Sequence, residues 1–112
     1  FISGHGGGAV LDGARLANAT GCVVVTLNSR LGALGYLQTA AGGALGVQDQ
    51  RMALQWVSLN AAAFHGDPAR ITLVGTETGA VSAVVHLLEL AEAEARAHGG
   101  VGGGGGAAAA SG

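Results

Sequence analysis

The residues with the clearest potential for chemistry are Gly-Thr-Glu-Thr-Gly at positions 75–79, which follow the short apolar run 71–74. A strand, a glycine-bracketed turn and a helix form the layout of a nucleophile elbow, in which a sharp turn presents the side chain of its central residue. The bracketing residues, Gly75 and Gly79, are expected to be glycines because the neighbours of a tight turn pack with almost no side chain. The central residue is usually serine, and here it is Glu77. The pattern therefore predicts the turn of an acyl-transfer site without the hydroxyl that attacks the acyl carbon.

A second candidate segment is the glycine-rich run Gly-His-Gly-Gly-Gly at residues 4–8. Such a loop presents bare backbone N–H groups to a negatively charged ligand. The small residues Gly4, Gly6 and Ala9 also fit a dinucleotide fingerprint, with Arg30 where a 2′-phosphate would lie. In that fingerprint the helix opens at the last small residue, whereas residues 10–11 intervene here. The segment thus indicates a site for a negatively charged group, and a dinucleotide is one candidate for its ligand.

The elements that must position these segments follow from the hydrophobic pattern. Apolar runs at residues 1–3, 22–27 and 71–74 predict strands, and the second is continuous enough for a parallel sheet buried on both faces. Helical spacing predicts helices over residues 12–19 and 47–60 and from the elbow to Gly99. We therefore predict an α/β fold with a parallel sheet and flanking helices. Since crossovers place the loops after parallel strands at one sheet edge, the two candidate segments should approach each other.

Composition limits the other possibilities. The 112 residues carry a net charge of −2, which gives no electrostatic reason to expect nucleic acid as a partner. No apolar run reaches the ~18 residues of a membrane span, and no motif indicates a metal or a cofactor. Only 11% of the residues are charged, so we expect residues 1–98 to be a poorly soluble part of a larger domain, followed by a low-complexity tail at 99–112. The single cysteine, Cys22, excludes an internal disulfide, leaves the cellular compartment open and is predicted to be buried.

Five stretches of the chain carry further information through their order and spacing. They are His-Gly-Gly-Gly at 5–8, the run from Val24 to Leu37, Asp-Gln-Arg-Met-Ala-Leu-Gln-Trp-Val at 49–57, Asn-Ala-Ala-Ala-Phe-His-Gly-Asp-Pro at 60–68, and Thr-Leu-Val-Gly at 72–75. Together these motifs resemble the carboxylesterase type B (cholinesterase-like) family of α/β-hydrolases. The resemblance implies a partial α/β-hydrolase fold and hydrolysis of carboxylic esters through an acyl-enzyme, with a small ester as substrate.

The resemblance also implies roles for individual residues. Gly7 and Gly8 would supply backbone N–H groups to an oxyanion hole, and Thr78, which follows the nucleophile position, would supply a third. Fixed N–H dipoles of this kind stabilise the negative charge that develops on the carbonyl oxygen. The elbow glycines set the register, so Glu77 occupies the position of the family's serine.

Several positions depart from the family's usual pattern. Thr76 occupies the position where the family usually has glutamate, and Ala9 the position of the aromatic residue that usually follows the glycine run. Ser29 occupies the position of the tyrosine that usually precedes Arg30. In the family, the acid and then the histidine of the triad lie well downstream of the elbow, so the resemblance implies that they fall beyond residue 112. With Glu77 in place of serine, we expect ester hydrolysis to be lost or severely impaired.

Other chemistry at the elbow stays open. Thr76 or Thr78 would have to attack from beside the turn, and Glu77 itself would act as a carboxylate nucleophile. A further hypothesis is that ionised Glu77 fills the oxyanion hole with its own anion. None of the four histidines is placed by the sequence to act as the base. The remaining alternatives are an active ester hydrolase in the full-length protein and a non-catalytic interaction module with a protein partner.

Overall fold

The computed structural model describes residues 3–38 and 42–99. Four α-helices follow one another, namely α1 (Ala14–Thr20), α2 (Gly32–Tyr36), α3 (Leu45–Asn60) and α4 (Thr78–Gly99), with short 3-10 helices at Ala9–Leu11 and Ala61–Phe64. The chain divides into two compact units, residues 1–74 and residues 75–112. The predicted strand at residues 1–3 and the predicted tail at 99–112 lie almost wholly outside the described residues.

The first helix begins and ends where its flanking residues dictate. The Asp12 carboxylate accepts a hydrogen bond from the backbone N–H of Ala14 at 3.0 Å, so Asp12 satisfies one of the free donors of the first turn. At the other end Gly21 has a φ of 71° and donates its N–H to the Ala17 carbonyl at 2.8 Å. Glycine is the usual residue in such a left-handed helix end, because it has no Cβ to collide. The predicted helix is confirmed, and its observed bounds lie two residues later at the start and one residue later at the end.

The helix predicted over residues 47–60 is confirmed as α3, which begins two residues earlier at Leu45. Its predicted apolar face is only partly covered, since Met52 is 69% and Trp56 51% exposed. The one ring contact described there joins Trp56 to Phe64 of the following 3-10 helix, with ring centroids 6.1 Å apart. That 3-10 helix ends at His65, whose φ of 61° is left-handed. α3 therefore keeps part of its apolar stripe exposed, whereas Ala53 and Val57 of the same stripe are partly covered.

The prediction of a parallel sheet is not matched by the described part of the chain. Residues 22–27 and 71–74 are neither helix nor strand there, and the described segments contain only an isolated bridge at Gly42. A strand exists through hydrogen bonds to a neighbouring strand. The backbone hydrogen bonds described outside the helices belong instead to turns and helix caps between residues close in sequence. An apolar β-branched pattern thus marks a strand-forming segment but cannot supply the partner that makes it one.

The described apolar side chains of the predicted strands are not buried either. Among the described residues no hydrophobic side chain is fully buried, and large apolar side chains such as Val23, Val25 and Ile71 remain 42–49% exposed. The prediction that Cys22 is buried is wrong, because its thiol is exposed. Apolar faces become a core only when a second layer packs on them. The residues that would fill a sheet core therefore stay at the surface in the described part of this chain.

Candidate active site

The elbow segment has the backbone of a strained turn. Glu77 has a φ of 52°, and the described residues contain only two other non-glycine residues with positive φ, Ala44 and His65. Both of those lie at helix ends, and Glu77 lies directly before Thr78, the first residue of α4. A left-handed backbone costs a residue with a Cβ about 1–2 kcal/mol. The chain therefore maintains a strained conformation at the central position of its Gly-x-x-x-Gly segment.

The two elbow glycines are not equivalent. A Cβ on Gly75 would overlap the carbonyl carbon and oxygen of Gly79 and would lie 2.7 Å from the nitrogen of Ala80. These are main-chain atoms, which cannot rotate aside as a flexible side chain does. A Cβ on Gly79 would meet nothing within 4 Å among the residues that the structure describes. Close packing thus requires glycine at position 75, and the backbone of Gly79 is what it packs against.

The first turn of α4 leaves one N–H group without an internal partner. Gly79 donates its N–H to the Thr76 carbonyl at 2.8 Å, and Ala80 and Val81 donate to the Glu77 carbonyl at 3.1 and 3.3 Å. The N–H of Thr78 has no described acceptor, as is usual for the first helical residue. It lies at the positive end of the helix dipole. It can therefore receive a negatively charged oxygen.

The glycine loop of the first unit also has free donors. Gly6 donates its N–H to the Asn28 side-chain oxygen at 2.7 Å, whereas those of Gly7 and Gly8 find no acceptor among the described residues. The His5 ring lies beside both, since a Cβ on Gly7 would be 3.6 Å from its Nδ1 atom. The loop borders an open cavity of about 560 Å³, whose other walls come from residues 9 and 11–13, from the start of α1 and from residues 24 and 26.

A tight ion pair fixes the backbone that follows Asn28. The Asp49 carboxylate of α3 accepts hydrogen bonds from the Arg30 backbone N–H at 2.9 Å, from its Nε at 2.8 Å and from its terminal nitrogen at 2.6 Å. The Arg30 side chain and backbone N–H lower the pKa of Asp49 to about 2, and the same hydrogen bonding raises the pKa of Arg30. Next to it, Gln50 of α3 donates to the Ser29 hydroxyl at 3.4 Å. Two consecutive residues are thereby attached to the longest helix of the first unit.

This geometry weakens the dinucleotide alternative. The Arg30 guanidinium that would meet a 2′-phosphate is engaged by Asp49. The fingerprint also requires a helix to begin at its last small residue, whereas a 3-10 helix covers Ala9–Leu11 and α1 starts at Ala14. The loop therefore keeps its free N–H groups without the helix that a pyrophosphate needs.

The histidines of the second unit have partners of their own. His86 is 5% exposed, and its Nδ1 lies 3.6 Å from the Glu89 carboxylate. His98 forms a hydrogen bond through Nδ1 with the Glu94 carbonyl at 2.9 Å. Within the described segments no three His, Cys, Asp or Glu side chains are grouped as a metal site would require. None of the helices in those segments has the length and apolar character needed to cross a membrane.

Sequence reasoning missed two residues that position these segments. Asn28 and Asp49 appeared in it only as members of motifs, yet they contact residues 22 and 19 positions away. The available signal was the type of residue that ends the apolar run 22–27, because an amide side chain there can reach a neighbouring loop. The charge pairing of Arg30 with Asp49 had no local signal.

Comparison with known proteins identifies the family. Residues 1–110 match the carboxylesterase family. Cholinesterase 1 of Branchiostoma lanceolatum is 47% identical over 91 residues, which are 79% of this chain and 26% of that protein. Acetylcholinesterase of Gallus gallus is 53% identical over 83 residues (70% and 11%), and cholinesterase of Mus musculus is 45% identical over 92 residues (79% and 15%).

The chain thus spans between about a tenth and a quarter of the length of these relatives. No solved structure gives a significant match. Family membership implies an α/β-hydrolase fold, of which the described residues contain helices and turns but no sheet. The match covers both the glycine loop and the elbow, so it confirms the resemblance drawn from the five motifs: this chain belongs to the carboxylesterase family.

Proposed function

We propose that this chain forms the part of an ester-hydrolase domain that carries the oxyanion loop and the nucleophile elbow, and that Glu77 leaves ester hydrolysis absent or severely impaired. One observation carries the proposal. Glu77 holds a φ of 52° directly before α4, in a turn where Gly75 packs on the Gly79 backbone. A strained turn between an apolar segment and a helix is where this fold presents its serine. The carboxylate therefore stands at the position from which the family's hydroxyl attacks.

Loss of the hydroxyl is severe because the catalytic groups act as a unit. In serine hydrolases, removing the nucleophile alone costs about 10⁶ in kcat, nearly as much as removing the whole triad. A histidine and an acid elsewhere in a longer chain would then rescue little. Attack by the Glu77 carboxylate would form a mixed anhydride that needs an activated water to break down. His86 and His98, the histidines of the same unit, are engaged by Glu89 and by the Glu94 carbonyl.

The oxyanion assignment is part of the same proposal. Gly7, Gly8 and Thr78 each keep an N–H without a described acceptor, which is what a group that must bind a developing oxyanion requires. Gly7 and Gly8 belong to the first unit and Thr78 to the second. The proposal that all three N–H groups bind the same oxygen atom therefore rests on family membership. A small carboxylic ester is the substrate class that this chemistry implies.

The experiment is an esterase assay of the full-length protein with p-nitrophenyl acetate, together with labelling by a fluorophosphonate. We expect no turnover above the buffer rate and no label on the wild-type protein. Turnover or labelling of the wild type would overturn the proposal, and the labelled residue would show whether Thr76 or Thr78 attacks. The matched pair Glu77→Ser and Glu77→Ala then reports on the remaining machinery. A gain with serine alone indicates that the rest of the site is intact.

A non-catalytic interaction module is the second candidate. It is favoured by the apolar surface of α4, where Val81, Val84, Leu87, Leu88 and Leu90 are 54–64% exposed. Exposed apolar surface of this extent marks a face that another layer or a protein partner covers. If Glu77→Ser and Glu77→Ala behave alike, with neither turnover nor label, the interaction module becomes the better reading.

A further inference from the structure

The glycine loop has one hydrogen bond that connects it to a distant part of the sequence. The Gly6 N–H donates to the Asn28 side-chain oxygen at 2.7 Å, across 22 positions of the chain. The two segments also lie in close contact. A Cβ on Gly6 would be 2.7 Å from the Leu27 carbonyl oxygen and 3.3 Å from the Thr26 Cβ. The loop therefore lies directly against the backbone of residues 26–28, and only glycine fits at position 6.

A loop of this composition needs such an anchor. Four of the five residues at 4–8 are glycines, which have the widest choice of backbone conformations and lose the most entropy when they are ordered. Gly4 already has a φ of 121°. Asn28 takes up the first N–H of the Gly-Gly-Gly run and leaves those of Gly7 and Gly8 free. One contact thus fixes the loop and determines which donors remain available.

Asn28 itself stands on a fixed backbone. The next two residues, Ser29 and Arg30, are held by Gln50 and Asp49 of α3. Contacts therefore run without a gap from α3 through residues 28–30 to the glycine loop. A side chain on such a support has little freedom to move away from Gly6.

We propose that Asn28 is the positioning residue of the oxyanion loop. Its side-chain oxygen binds the Gly6 N–H and holds the loop so that the N–H groups of Gly7 and Gly8 stay available to an anion. This role rests on the proposed function, which assigns Gly7 and Gly8 to the oxyanion hole. Asn28 touches no reacting atom and acts through the loop.

The test uses two variants of similar size in the full-length protein labelled with ¹⁵N-glycine. Asn28→Asp keeps an oxygen acceptor, and Asn28→Leu removes it. We expect amide hydrogen exchange of Gly6 to become about two- to tenfold faster in Asn28→Leu, which is the range for loss of one ordinary hydrogen bond. Asn28→Asp should keep wild-type exchange or slow it, because a charged acceptor binds an N–H more strongly. The resonances of Gly7 and Gly8 should shift or broaden in Asn28→Leu only.

Three results would overturn the proposal: unchanged Gly6 exchange in Asn28→Leu, equal changes in both variants, or a Gly6 effect that leaves Gly7 and Gly8 unaltered. The amide of Gly66, which donates to the Ala61 carbonyl at 2.9 Å far from the loop in sequence, is the control for a change elsewhere in the first unit. A titration of the wild type with methylphosphonate separates this proposal from the one it rests on. If the Gly7 and Gly8 resonances do not respond to that anion, the oxyanion assignment fails. The exchange rates of Gly6 in the two variants test the role of Asn28 independently of that result.

Discussion

Replacing Gly75 by alanine should open the elbow turn. The new Cβ would overlap the main-chain carbonyl of Gly79 and approach the Ala80 nitrogen, so the backbone has to move. The turn is closed by hydrogen bonds to the Thr76 and Glu77 carbonyls at 2.8 and 3.1 Å, and these bonds lengthen first. Inserting a methyl group into a packed site costs about 1–3 kcal/mol. Since each 1.4 kcal/mol is a factor of ten, amide exchange in the first turn of α4 should accelerate about 5- to 150-fold.

The matched control is Gly79→Ala in the same turn. Its Cβ meets no described atom within 4 Å, and alanine is up to about 1 kcal/mol better than glycine within a helix. Exchange at Ala80 and Val81, measured by NMR on the full-length protein, should therefore slow by up to about fivefold, opposite to the effect of Gly75→Ala. Circular dichroism at 222 nm checks that both variants keep their helices. If both substitutions shift the exchange rates in the same direction, the close approach at Gly75 is not what shapes the turn.

Three further substitutions test the strain, the ion pair and a turn. Glu77→Gly should raise the free energy of unfolding by about 0.5–1 kcal/mol, because it removes a left-handed cost of about 1–2 kcal/mol and adds an entropic cost of about 0.5–1 kcal/mol for ordering a glycine. Glu77→Ala keeps the strained backbone and is the control. Equal urea midpoints for the two variants would contradict the reasoning. The pKa of Asp49 is about 2 in the folded state, against a usual 3.8, so its contribution to stability is fully present above about pH 5 and is lost as the pH falls through 4 towards 2. Asp49→Asn should flatten that part of the pH dependence in urea denaturation, and a slope equal to that of the wild type would show that the pairing with Arg30 is weak in solution. Asp67→Ala removes the acceptor of the Ala69 N–H at 2.9 Å and should lower the free energy of unfolding by up to about 1.5 kcal/mol. Asp67→Asn keeps an oxygen acceptor and is the control. A loss of the same size in Asp67→Asn would show that this hydrogen bond does not stabilise the turn.

Each long helix could be predicted from its own segment of sequence. α3 appears where apolar and polar residues alternate with helical spacing, and α4 begins at Thr78, directly after the central residue of the predicted elbow. Helix hydrogen bonds join residues four apart, so local sequence contains both partners. The family could also be predicted from the sequence, because the five motifs keep their order and spacing along the chain.

The sheet could not be read from one segment. Residues 22–27 have the apolar β-branched pattern of a buried strand, yet they form no strand in the part of the chain that the structure describes. Their backbone donors need acceptors on a neighbouring strand. The apolar pattern of one strand does not indicate which segment is its neighbour. The exposed Cys22 at the head of that run has the same cause, since burial requires a covering layer.

By itself, the sequence determined the three longer helices, the glycine positions and the presence of a carboxylate at the centre of residues 75–79, whereas it did not predict the short helix α2. Only the tertiary structure decided that Gly75 rather than Gly79 is the tightly packed glycine, and that Asn28 and Asp49 hold the segments beside them. The physical reason is the distance along the chain between partners. Interactions within one helical turn join residues that are close in sequence, so a single segment contains both partners. A hydrogen bond across 22 positions exists only once folding has brought its donor and acceptor together.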